Sequence, residues 1–156
     1  MEGISANIPV AILAAMLIVA ATGDVRERRI PNKLNLAIAL LAIPFWVLSG
    51  YALWPQVATQ LTIAAGAFLL FALLFRLGLM GGGDVKLLAA LALWLPLASL
   101  VKLLVIMSLA GGVLTVVLMV RHRASKTGGK LEIPYGVAIA FGGMWLIGER
   151  FFYQFG

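Results

Sequence analysis

The chain alternates long apolar runs with short polar stretches. The apolar runs cover roughly 5–23, 34–52, 56–76, 84–97, 100–120 and 133–150. A helix needs about 20 mostly apolar residues to cross the hydrocarbon core of a bilayer. The pattern therefore predicts an all-α polytopic membrane protein with about six transmembrane helices, forming one domain over residues 1–156. The fourth run is short. Pro96 and Ser99 divide the apolar stretch 87–120, which is too long for a single span, so a helical hairpin is expected there. Pro44 lies inside the second run and predicts a kink.

Composition agrees with this reading. Of the 156 residues, 63% are hydrophobic and 12% are charged, against about 25% charged in ordinary soluble domains. The net charge of +6 does not indicate nucleic-acid binding, because the basic residues sit between apolar runs rather than along one face. Arg26, Arg28, Arg29 and Lys33 follow the first run. Arg76 and Lys86 flank the third gap, and Arg121, Arg123, Lys126 and Lys130 fill the fifth. Only Lys102 and Arg150 fall elsewhere, and the segment 49–55 carries no charge. By the positive-inside rule the first, third and fifth loops are cytoplasmic and both termini lie outside. The segment before the first run carries Glu2 and no Lys or Arg. A secretory leader would be positive there, so a retained span is expected. The chain has no cysteine, which excludes disulfides, thiolate metal sites and cysteine nucleophiles. A single histidine, His122, makes no multi-histidine metal site.

The candidate chemistry lies in two aspartates, Asp24 and Asp84, the only ones in the chain. Asp24 closes the first span and Asp84 opens the fourth, so the topology brings both to the cytoplasmic edge of the membrane. There the cost of an ionised carboxylate is lower than at a helix centre, and water can reach it. Each residue also has a structural reading. Asp84 could be a helix N-cap. Asp24 could be a loop partner for Arg26, Arg28 and Arg29.

The surroundings favour chemistry. Asp84 follows Gly81, Gly82 and Gly83 and precedes Val85 and Lys86. Three glycines are costly in a helix and point to a backbone that another chain approaches closely. Asp24 is followed by Ile30-Pro31-Asn32. Pro31 suits a helix start, and Asn32 suits either a cap of the second span or a bond to the site.

These motifs resemble the type IV prepilin peptidases, which carry an Asp before Ile-Pro-Asn and a second in Gly-x-Gly-Asp followed by a hydrophobic residue and Lys. Ile133-Pro134-Tyr135-Gly136-Val137-Ala138 is similar to the opening of that family's final helix. The resemblance implies an aspartic endopeptidase with Asp24 and Asp84 as the catalytic pair. It implies no cofactor and no metal. Gly81, Gly82, Gly83, Asn32 and Lys86 are expected to contact substrate. That substrate would be a prepilin or pseudopilin, cut after a glycine just ahead of its apolar N-terminal helix. The expected partners are this leader and helix and membrane lipid, with no nucleic acid, and the expected location is the inner membrane. The larger members carry a cysteine-containing insert and methylate the new N-terminus. This chain lacks such an insert, so it resembles the short form, including peptidases of Flp-type pili, and no methyltransferase activity is expected.

Other residues read as structural. Trp46, Trp54, Trp94 and Trp145 suit interfacial belts, Phe151, Phe152 and Tyr153 an outer anchor, and Gly111-Gly112 and Gly142-Gly143 close helix packing. Glu132 could hold a basic residue near the site. Three rival readings stay open, one of them a different aspartic intramembrane protease that cuts ordinary signal peptides or membrane stubs. A proton-coupled transporter would want a carboxylate at mid-membrane depth. An inactive pilus-assembly factor would tolerate loss of both aspartates.

Overall fold

A computed structural model describes residues 2–125 and 133–155. Lys126, Lys130 and Glu132 lie outside the described residues, as does the side chain of Tyr153. Among the described residues there are six α-helices and no strand. They are α1 (Glu2–Glu27), α2 (Asn32–Leu48), α3 (Ala58–Arg76), α4 (Gly82–Ala92), α5 (Leu97–Ser125) and α6 (Tyr135–Phe155). A kinked segment, Leu53–Val57, leads into α3. The segments Ser5–Glu27, Leu53–Arg76 and Leu97–Arg123 are long and apolar enough to cross a membrane, and Asn32–Leu48 is a shorter apolar helix. The chain is an all-α membrane protein.

Breaks fall where the backbone demands them. Pro31 is the N-cap of α2; its fixed φ favours a helix start and its missing N–H removes no bond the helix needs. Pro44 lies within α2. Pro96 has no N–H to extend α4 and disfavours helical geometry at Leu95, so α4 stops and α5 begins at Leu97.

The fourth helix differs from expectation. The apolar run 84–97 reads as a short span, yet α4 has 11 residues, about 16 Å at 1.5 Å per residue. That is roughly half the apolar thickness of a bilayer. Its C-terminal carbonyls would then be stranded away from water. Side chains from the two preceding helices meet them instead. Gln60 Nε2 donates to the carbonyls of Ala92, at 2.7 Å, and Leu95. Trp46 Nε1 donates to Leu93 O at 3.0 Å. Gln60→Leu removes both amide bonds and leaves buried acceptors without a partner, at a cost of roughly 1–3 kcal/mol. The expected result is a lower unfolding temperature in detergent. An unchanged melting curve would show that these carbonyls find other donors.

α4 is the centre of the bundle. It packs against α2, α3 and α6, while α6 also packs on α1 and α5. Leu17, Ile38, Leu87, Leu88, Leu91, Leu103 and Ile139 are fully buried among these helices. Gly142 and Gly143 do permit close packing. An added Cβ would lie 2.8 Å from Leu103 Cδ1 at the first and 2.8 Å from Leu17 Cδ1 at the second. Gly112 faces open space, so the packing expectation fails there. Trp46 and Trp94 are not interfacial residues. They are 8% and 6% exposed, and Trp94 Nε1 donates to Ile38 O at 3.0 Å. Both indoles tie α2 to the α4 region. Trp54 and Trp145 are exposed, as a belt requires.

Candidate active site

Among the described residues four polar side chains are buried: Asp24, Asn35, Gln60 and Asp84. Gln60 closes the far end of α4. The other three gather at its N-terminal end.

Asp24 sits in the last turn of α1. The helix ends at Glu27, and Arg28 adopts a left-handed conformation with φ 54°. That conformation costs an L-residue about 1–2 kcal/mol. The turn carries the chain back so that Ile30 becomes buried while Arg29, Pro31 and Asn32 border the cleft. The first-turn amides of α6, from Gly136 and Val137, lie close to the Asp24 carboxylate, and Arg28 acts on it electrostatically. Such first-turn amides have no partner further along the helix, although that of Val137 also donates to Pro134 O at 3.2 Å, and they form the positive end of the helix dipole. Asp24 Oδ2 is nonetheless buried without a hydrogen-bond partner.

Asp84 is not an N-cap. The N-cap of α4 is Gly81, and Asp84 occupies the third helical position, where its carboxylate reaches back toward the Gly81 amide. This is the return half of a capping box. The two aspartates are close enough to act on each other electrostatically. They are 6% and 9% exposed, and both line one cavity of about 510 Å³ with Glu27, Arg28, Arg29 and Asn32.

Each glycine of the triplet has a separate reason. At Gly81 an added Cβ would lie 2.9 Å from Asp84 Oδ2. At Gly82 it would lie 3.3 Å from the Phe75 ring, and at Gly83 3.3 Å from Ile30 Cβ. All three line the cavity. At Gly136 a Cβ would meet Ile30 Cδ1 at 2.7 Å and Asp24 Oδ2 at 2.8 Å. Ile30 is therefore the wedge on which the three motifs converge.

Asn32 makes no cap of α2. Its Oδ1 accepts a hydrogen bond from Lys86 Nζ at 2.8 Å, a link between α2 and α4 at the rim. Two residues of this region are absent from the sequence reading of the site. Asn35 donates through Nδ2 to Gly83 O at 3.1 Å and so holds the glycine segment ahead of Asp84. Gly136 admits Asp24. A polar residue inside an apolar run is the signal that marks Asn35. Among the described residues no three His, Cys, Asp or Glu side chains form a metal-holding group.

Fold and site together define a helical membrane protein with two buried carboxylates in one cleft at the end of its bundle. The model of the type IV leader peptidase family matches residues 11–116, and the chain belongs to that family. It is 32% identical over 145 residues to the prepilin leader peptidase/N-methyltransferase of Aeromonas salmonicida, strain A449, and equally to that of Aeromonas salmonicida without a strain name. The alignments cover 87% of this chain and 47% of each relative. The chain thus spans about half the length of the curated relatives it matches. No solved structure matches it.

Proposed function

We propose that this chain is a multi-pass inner-membrane aspartic endopeptidase that removes the short cytoplasmic leader from type IV prepilins or pseudopilins. The observation that carries this reading is the meeting of Asp24 and Asp84, sixty residues apart in sequence, in one cavity bordered by the glycine triplet. Family membership supports it, as do the relatives' names. The positive-inside rule, applied to the basic loops, supports a cleft on the cytoplasmic side with both termini opposite.

The chemistry follows from two carboxylates that share one proton. The ionised partner takes a proton from a water molecule, whose oxygen attacks the scissile carbonyl carbon. The protonated partner gives its proton to the carbonyl oxygen, forming a neutral tetrahedral diol. Collapse returns a proton to the pair, breaks the C–N bond and delivers a proton to the leaving amine. The titration belongs to the pair, so neither residue is singled out as base. Gly81, Gly82 and Gly83 border the cavity in which an extended substrate strand would lie. Flp-type prepilins are the proposed substrates within the class, and no methyl transfer to the new N-terminus accompanies cleavage.

The test is co-expression with a candidate prepilin in membranes, followed by mass analysis of the product. The expected product begins immediately after the leader glycine and carries no added methyl group. Uncut prepilin in the presence of inserted protein would overturn the reading.

A further inference from the structure

Helices α2 and α3 both rest on α4 but make little direct contact with each other. The space between them is a groove of about 530 Å³. Its walls include Leu36 and Ala39 of α2 and Ala64 and Phe68 of α3, and Ala89 and Ala90 of α4 form its floor. Small residues let a helix approach closely in lipid. Asn32 lines both this groove and the aspartate cavity, so the two spaces meet at the rim.

Asn35 stands in this groove, one helical turn beyond Asn32. It is 4% exposed. Its amide nitrogen is committed to Gly83 O, whereas its Oδ1 is buried without a partner. Nearly all buried acceptors are paired, and an exception calls for a cause. The proposed substrate offers a matching group. Past the cut it continues as an apolar helix, and the first four N–H groups of any helix have no internal acceptor. Once the helix is packed against buried Asn35, such an N–H is shielded from water and takes its acceptor from the protein.

We propose that the apolar helix following the scissile bond lies in the α2–α3 groove and donates one of its first-turn N–H groups to Asn35 Oδ1. Asn35 is then a positioning residue. One side of its amide fixes the segment ahead of Asp84, and the other fixes the substrate relative to it. This rests on the leader-peptidase reading. The groove between α5 and α6, lined by Ile106, Val113 and Phe141 among others, is as apolar but has no such acceptor.

The full-length protein in detergent is tested with a synthetic peptide. The peptide carries a leader ending in glycine followed by an apolar segment of about 20 residues. In one arm a benzophenone side chain replaces Phe68 or Phe141 in the Asp84→Asn background, and crosslinking to the peptide is read without turnover. Crosslinking at Phe68 and not at Phe141 is expected. Crosslinking at Phe141, at both equally or at neither overturns the proposal. In the second arm each of the first four amides of the apolar segment is replaced by an ester, which deletes its N–H. At one position kcat/KM falls about tenfold with the wild type and is unchanged by the ester with Asn35→Ala. Equal losses in both enzymes overturn the assignment of Asn35 while leaving the peptidase reading intact. A wild type that does not cut the parent peptide overturns the peptidase reading, and this proposal with it.

Discussion

Asp24→Asn and Asp84→Asn are each expected to lower the cleavage rate on the order of 10³-fold. Positioned acid–base groups contribute about 10²–10⁴, and here one pair supplies both water activation and protonation of the carbonyl. The double variant should lose little more than either single one, because groups that act as a unit are not additive. Asn keeps the shape of Asp, so the close fit of residue 24 to Gly136 and of residue 84 to Gly81 survives, and insertion and thermal unfolding should stay close to wild type. The pair also predicts a bell-shaped pH profile for the wild type. The rate falls when both carboxyls hold a proton and again when neither does. Single-turnover kinetics on a purified prepilin measure these effects. A variant that keeps its rate within tenfold of wild type would remove that carboxylate from the chemistry.

Gly136→Ala is the second large effect, and it should separate activity from stability. The added methyl would meet the ends of two side chains, Ile30 Cδ1 at 2.7 Å and Asp24 Oδ2 at 2.8 Å. Both ends can rotate away, so the folding cost should stay near the lower end of the usual overpacking range, about 1 kcal/mol. The group that moves, however, is a carboxylate the reaction needs. A loss of activity of about 100-fold is therefore expected, since a displacement near 1 Å can cost that much. Gly112→Ala, where nothing lies within 4 Å, is the matched control and should behave as wild type. If Gly136→Ala cleaves normally, the carboxylate is not held against α6 during turnover.

Much of the fold was legible because bilayer physics writes itself into composition. Six apolar runs became six helices, and Pro31 and Pro96 marked boundaries that backbone geometry enforces. The aspartates stood out because ionisable residues are rare in membrane segments, and the glycine triplet because three in succession are costly in a helix. What escaped notice depends on partners distant in sequence. The run 84–97 could not reveal that α4 ends at Ala92, because the donors that make a short helix tolerable are Gln60 and Trp46. Trp46 and Trp94 carry the composition of belt residues, and only tertiary structure shows that their N–H groups are spent on α4 and α2. Asn32 offered two sequence roles, a cap or a site contact; Pro31 takes the cap, and Asn32 lines the aspartate cavity while accepting a hydrogen bond from the Lys86 ammonium. Gly136 could be seen as part of a motif, but not as the neighbour of Asp24.

The short fourth helix has a consequence for biogenesis. A half-length helix with bare carbonyls is a poor candidate for entering lipid alone. Its two hydrogen-bonding clasps, Trp46 and Gln60, lie on α2 and just ahead on α3, both earlier in the chain than α4. As the polypeptide leaves the ribosome, the receiving surface is therefore synthesised before the segment that needs it. Moving α4 ahead of α2 by circular rearrangement would preserve every contact of the finished protein, yet would ask the insertion machinery to release a segment whose end has nowhere to bond.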